Sequence, residues 1–351
     1  MQAVIEPPPR TLRLRLDLAA LAANWQAMDR LSGAARAGAA VKANAYGLGI
    51  DQAVPALAKA GARQFFVAHM SEVAPVIAHV PAASVAVLHG AGSAADAAYA
   101  RAVGVRPVLC SLHQAKLWRD GGGGPCQLML DSGINRLGVP PADCGDPVLA
   151  GLEIELLASH LASAEDDTPQ NARQLAVFRE NSAAFPGVPR SLANSAGIAL
   201  GADYHFELTR PGLALYGGIP CDGLAGTIAQ VAYPEAAVLQ LRKLSAGDQV
   251  GYNATFTAPH AMRVATVSLG YADGVLRQWG KGGLLALQHD GASLPVLGRI
   301  SMDMMVIDCS AAPGLREGDF VSLPYALPEA ARLSGLSQYE LLTLLGPRFA
   351  R

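Results

Sequence analysis

The residues best suited to chemistry stand in Val41–Lys42–Ala43–Asn44–Ala45–Tyr46–Gly47–Leu48–Gly49. Here a lysine follows the apolar run Ala39–Ala40–Val41 and precedes a small-residue turn with one tyrosine. An ammonium group is costly to strip of water. A lysine set directly after buried-strand residues therefore either leaves its strand for solvent or is placed there for use. A desolvated lysine loses its proton more readily and can form a Schiff base, the chemistry of enzymes that use pyridoxal phosphate.

Further candidates are spread along the chain: Arg136, His160, Asn194–Ser195–Ala196–Gly197, Arg210–Pro211–Gly212–Leu213, Tyr252, Tyr271, Met302 and Tyr339. Taken singly, each has a plainer reading. Asn-Ser-Ala-Gly is a common turn, His160 a satisfied core histidine, Arg210 a strand-end surface arginine, and Tyr339 a half-buried helix residue.

The elements that must position these residues follow from pattern. Leu12–Asp17 alternates apolar and charged residues as a half-exposed strand does, and Asp17 can cap a helix to about Met28. A βα alternation follows: helices over Asp51–Ala60, Ser71–Ala78 and Ala94–Val103, with strands at Phe65–Ala68, Val85–Leu88 and Pro107–Leu109. Gly121–Gly124 reads as a loop without the Lys-Ser/Thr of a phosphate loop. Gln127–Leu130 and Glu153–Ser159 read as strands, and Asn171–Phe185 as a helix. Repeated βα units with short apolar strands predict a parallel barrel, whose chemistry sits at the C-terminal strand ends. Lys42, Arg136 and His160 each follow such an end.

Beyond about Gly226 the pattern becomes Val238–Leu241, Gln249–Tyr252, Met262–Ser268, Leu284–Gln288, Pro295–Leu297, Met304–Ile307 and Phe320–Leu323, short strands separated by Gly, Asp and Pro. A helical tail, Gln338–Leu345, closes the chain. The expected architecture is α/β: an N-terminal (β/α)8 TIM-type barrel over residues 1–229, then a smaller, mainly β domain over residues 230–351.

Composition excludes several classes. The 351 residues are 51% hydrophobic and 16% charged, with a formal net charge of −2. That allows two cores and offers no basic surface for nucleic acid. No apolar run reaches membrane-spanning length, and Met1–Arg10, with three consecutive prolines, does not read as a signal peptide. Five scattered cysteines without CxxC spacing fit a reducing cytoplasm and no metal site.

Together, and in this order, the motifs resemble the alanine racemase family nearly end to end. The resemblance implies L-alanine/D-alanine interconversion on pyridoxal 5'-phosphate, supplying D-alanine for peptidoglycan. It implies that Lys42 carries the cofactor and that Tyr46, Ser195 (in the loop begun by Asn194), the Gly212 and Leu213 amides and Tyr339 bind its phosphate. Arg210 would face the pyridine nitrogen, where an arginine cannot accept the ring proton that a carboxylate partner would favour. Arg136 would hydrogen-bond the phenolic oxygen and the substrate carboxylate, the Met302 amide would meet that carboxylate, and Tyr271 would narrow the entrance. Arg277 and Arg299 resemble arginines of the access corridor. Racemisation needs an acid or base on each face of the α-carbon. Lys42 would serve one face and Tyr252 the other, supported by a chain through His160 and Arg210. In this family the tyrosine comes from the partner subunit, which implies a head-to-tail homodimer with shared sites.

Two positions depart from the family pattern. Leu48 replaces a histidine. Met129 stands where many members carry a lysine that becomes carbamylated and steadies the arginine. A small anion, a nearby carboxylate or an amide such as Gln174 would have to replace it, with Asp131 engaged by its own turn. Two other readings remain: a serine or broad-specificity racemase on this scaffold, and a non-catalytic pyridoxal phosphate-binding protein.

Overall fold

The computed structural model describes residues 8–280 and 285–350. These fall into two compact units: Leu18–Ala229, and Gln230 onwards together with Asp17 and the described residues before it.

The first unit is the barrel. Seven parallel strands run in the order Ala39–Ala40, Phe65–Val67, Val85–Val87, Arg106–Leu109, Pro125–Met129, Glu153–Ala158, Arg190–Ser191. The eighth, Leu208–Thr209, pairs in parallel with Arg36–Ala37. It also receives the ring closure: Glu207 and Arg210 donate to the Arg190 and Ala193 carbonyls, while Gly38 and Ala40 donate to Thr209 and Pro211. The strands read as continuous apolar runs because both faces are buried. Phe65, Phe66, Val67, Val85 and Val87 are all solvent-excluded, and each large side chain so buried contributes about 1.5–3 kcal/mol. Helix Leu18–Leu31 lies on the barrel through Trp25, whose Nε1 donates to the Gly38 carbonyl.

Helix Leu112–Asp120 carries no signal that pattern picked out. The expected Ser71–Ala78 helix is split into a 3-10 turn, Met70–Glu72, and a short helix, Val73–Ile77.

In the second unit, antiparallel strands close on themselves: Ala232–Leu244, Met262–Val267, Met305–Asp308, Ala292–Leu297, Ala286–His289 and Phe320–Ser322, the last pairing back onto the first. One expectation is corrected here. Leu12–Leu16, expected in the barrel as part of residues 1–229, pairs antiparallel with Ala232–Ala236 and belongs to the β unit. Its other edge is hydrogen-bonded to Ala350. Leu284, where one expected strand began, lies outside the described residues. The expected strand Gln249–Tyr252 ends at Val250, and Tyr252 opens a 3-10 turn.

Candidate active site

Lys42 leaves its strand at the C-terminal end of the barrel, half-buried behind the fully buried Val41. The backbone then enters a left-handed turn. Ala43, Asn44, Ala45 and Tyr46 have φ of 52°, 55°, 54° and 54°, and Gly47 continues at 83°. Each non-glycine residue there costs roughly 1–2 kcal/mol, a concentration of strain of the kind found at functional sites. Local and distant bonds hold it. Ala45 donates to Val41, Gly47 to Ala43 and Gly49 to Asn44, while Asn44 Oδ1 accepts the Ile50 N–H at 3.0 Å. The Tyr46 ring stacks on Tyr216 at 4.8 Å, and the Tyr216 hydroxyl donates to the Ala40 carbonyl at 2.8 Å. Burial raises the Tyr46 phenol, keeping it neutral.

The Lys42 amine is lowered from its ordinary value by burial first and then by the cations Arg136 and Arg210, with Glu72 opposing. Motif and spacing gave Glu72 no role. Its carboxylate accepts from Ala43, the residue after the lysine, and from the end of the neighbouring strand.

Two further segments meet at the Ser195 hydroxyl. Asn194 caps Ser195–Ala199 by accepting the Gly197 N–H at 2.8 Å. The Ser195 hydroxyl is buried and accepts from the Gly212 and Ala214 amides at 2.9 and 3.2 Å. The expectation gave the Gly212 amide to phosphate; in this chain it is directed at Ser195. Leu213 N–H has no acceptor among the described residues. A Cβ on Gly212 would lie 2.2 Å from the Tyr46 hydroxyl oxygen, so this backbone approach requires glycine.

Arg210 is 7% exposed and donates to the Ser191 hydroxyl and to the Ser159 and Leu192 carbonyls. Burial brings it down to about 10, so it remains a cation at neutral pH. His160, on the strand end beside it, is lowered to about 3 by burial, Arg210, Arg136 and Lys42. It is a neutral imidazole among cations.

Arg136 is exposed and ends a turn that Asp131 organises: one carboxylate oxygen accepts the Gly133, Ile134 and Asn135 N–H groups. Asp131 is thus engaged as expected. Gln174 is not available to Arg136. Its carbonyl accepts from Ala162, and its amide donates to the Ser132 hydroxyl at 3.2 Å and the His160 carbonyl at 3.0 Å. Met129 is buried.

The β unit carries its own candidates. Tyr252 is 66% exposed on a turn where Gly251, Asn253 and Ala254 all have positive φ. Met302 is 53% exposed. Tyr271 donates its N–H to Ser301, and Ala272 donates to Met302. The Arg277 guanidinium lies 5.0 Å from the Tyr271 ring centroid. Arg348, which pattern did not single out, bonds the fully buried Asp273 and the exposed Asp303, each at 2.7 Å. Tyr339 is half-buried on helix Gln338–Leu344, opened by a Ser337/Glu340 capping box.

Comparison with known proteins matches both units. The family model described as alanine racemase, N-terminal domain, covers residues 16–220, and that for the C-terminal domain covers residues 231–351. An alanine racemase of Methylobacterium nodulans is 44% identical over 97% of this chain and 95% of its own. A biosynthetic alanine racemase of Agrobacterium fabrum is 42% identical over 97% and 93%. Among solved structures, the alanine racemase of Bartonella henselae with covalently bound pyridoxal phosphate superposes with a TM-score of 0.88. It is 35% identical, with 98% of this chain and 99% of that one covered. The biosynthetic alanine racemase of Pseudomonas aeruginosa gives 0.86, at 33% identity with 98% and 99% covered.

Proposed function

This chain belongs to the alanine racemase family, and from that premise we propose how its residues interconvert L-alanine and D-alanine with pyridoxal 5'-phosphate held on Lys42. The product D-alanine serves peptidoglycan. The observation that carries the reading is Lys42 itself, a desolvated amine at a barrel strand end with its proton loosened by burial and two arginines.

The residues present fit the cofactor. Gly212 lets the backbone approach Tyr46 closely, and beside it stand two donors suited to phosphate oxygens: the Leu213 N–H and the Ser195 hydroxyl, which accepts two amides and keeps its own proton to donate. Tyr46 and Tyr339 would add phenolic donors, while Asn194 holds the Ser195 loop. When bound, pyridoxal phosphate supplies the electron withdrawal that acidifies the substrate α-proton.

The chain's own groups do the rest. Arg210, held by three oxygen partners, would face the ring nitrogen as a cation that cannot take its proton. That keeps the electron demand shallow, which suits returning a proton to the same carbon. Arg136 offers its fork to the substrate carboxylate, with the Met302 amide as a second donor. Lys42 Nζ takes or returns the proton on one face and the Tyr252 hydroxyl on the other. His160, kept neutral, would join Arg210 in the chain that supports Tyr252 without adding charge.

Tyr252, Tyr271 and Met302 would reach the barrel of a second copy in a head-to-tail homodimer. The exposure of Tyr252 and Met302 in the single chain leaves both side chains open to such a partner. No nucleic acid or membrane takes part in the reading. The net charge is −2, and no helix among the described residues is long and apolar enough to cross a membrane. All five cysteines are free, which suits the cytoplasm.

The test is Lys42→Ala. It abolishes the visible absorbance of bound pyridoxal and racemisation together, because both need the same amine. Retained racemisation with unbound cofactor would overturn the reading. A chiral assay across alanine, serine, arginine and lysine sets substrate breadth.

A further inference from the structure

We propose that Glu72 is a positioning residue for Lys42, its carboxylate clasping the first peptide of the left-handed turn to the end of the neighbouring strand. This rests on the reading of Lys42 as the cofactor lysine.

Strands Ala39–Ala40 and Phe65–Val67 run side by side, and their last shared bond is Val41 N–H to the Phe66 carbonyl at 2.8 Å. Beyond it the two chains part. One enters the left-handed turn at Ala43, the other the 3-10 turn Met70–Glu72. The peptide N–H groups at this fork lose the sheet partners that strands provide. Glu72 supplies substitutes on both sides. One oxygen, Oε2, accepts from Ala68 at 2.6 Å and His69 at 3.2 Å. The other, Oε1, accepts from Ala43 at 2.6 Å.

Capping its own turn would need only Oε2. The bond from Oε1 to Ala43 reaches beyond that duty, and Ala43 is the residue whose backbone sets where Lys42 points. The three strained residues after it, Asn44 to Tyr46, have the same left-handed conformation. A bond to a charged acceptor at the head of that turn opposes its relaxation. Only a carboxylate offers two acceptor oxygens across this gap. A glutamine would set an NH₂ group against an N–H, and an aspartate is one methylene short.

Among the described residues, the same group is the one anion that acts appreciably on Lys42. Arg136 and Arg210 act on it as cations, and the imidazoles His89 and His160 feel Lys42 in turn. Glu72 thus offsets part of the cationic pressure on the amine while fixing its backbone.

The experiment compares the full chain with Glu72→Gln and Glu72→Asp by amide hydrogen exchange with the cofactor bound. It adds the pH dependence of Lys42 acetylation by acetic anhydride after the cofactor is stripped, with the exposed Lys243 as reference. In Glu72→Gln, exchange at Ala43 rises at least about tenfold, as expected for loss of a charged hydrogen bond. The Lys42 labelling midpoint moves to lower pH, and kcat falls at least about tenfold with KM within about threefold. Glu72→Asp keeps the charge and loses the reach, so exchange rises while the midpoint holds. Unchanged exchange at Ala43 and an unchanged midpoint in folded Glu72→Gln would overturn the proposal, leaving Glu72 a cap of its own turn. If Glu72→Gln does not fold, unchanged Ala43 exchange in Glu72→Asp overturns it equally. Failure of the cofactor-lysine reading looks different, as it is read from the absorbance of Lys42→Ala and leaves these exchange rates untouched.

Discussion

Gly212 and Tyr46 occupy adjoining space so closely that a Cβ on the glycine would stand 2.2 Å from the tyrosine hydroxyl. The glycine's φ of −131° lies outside the left-handed region, and the contact is what a side chain would meet first. Gly212→Ala must therefore displace Tyr46, the Ser195 contact, or both. The variant is expected to bind pyridoxal phosphate at least about tenfold more weakly and to lose about 1–3 kcal/mol of stability through overpacking. Cofactor titration by absorbance and denaturant unfolding check the two effects.

Tyr252 is exposed on its turn and would act on one face of the substrate for both enantiomers. Tyr252→Phe is expected to lower kcat in both directions by at least about a hundredfold, since general acid–base groups contribute that much. Mixing inactive Lys42→Ala and Tyr252→Phe chains should then restore one sound site per hybrid dimer if the two residues meet from different chains. Hybrids isolated by differential tags that stay inactive would contradict the shared site.

His160 gives stability a pH dependence of definite sign. Its pKa lies at about 3 in the folded chain against an ordinary 6.5. Between those values the unfolded state binds more protons, so stability rises with pH through this window and is lost as pH falls. The slope from this one group is at most about 1.4 kcal/mol per pH unit. In urea unfolding of the cofactor-free chain at pH ~5 and ~7.5, His160→Gln should show the shallower dependence. An equal dependence in both proteins would refute it.

Met129 cannot be carbamylated, and Gln174, one candidate to brace Arg136, is committed to Ala162, Ser132 and His160. Activity is therefore expected to be the same in carbonate-free buffer and in added bicarbonate. Met129→Lys should raise turnover only where bicarbonate lets the new lysine carry a carbamate. Strong bicarbonate activation of the unaltered protein would show that another lysine serves Arg136.

The lysine segment, the βα alternation and most strands were legible because each is written locally. A run such as Phe65–Phe66–Val67 reports its burial through composition, and Lys42 is conspicuous because an ammonium comes directly after apolar residues. Other elements were hidden for equally physical reasons. The long strand Ala232–Leu244 is legible only as Val238–Leu241, since Pro234 and Glu235 are poor strand formers. They are held in the strand by partners on both sides, Leu12–Leu16 and Phe320–Ser322.

The sequence by itself determined which residues could do the chemistry and in what order they come, because residue type and spacing carry that information. Which of them meet was decided only by the tertiary structure. Ala43, Asn44 and Ala45 bear no mark of a left-handed backbone; Glu72, Tyr216 and the Asn44 cap hold them there from positions distant in sequence or fixed by the turn itself. Leu12–Leu16 reads as a strand in any context, but its partner is set by where the closed β unit leaves an edge. Gln174 could have faced Arg136 by position, yet packing turned both ends of its amide elsewhere. Side-chain aim depends on contacts many residues apart, and spacing along one chain does not record them.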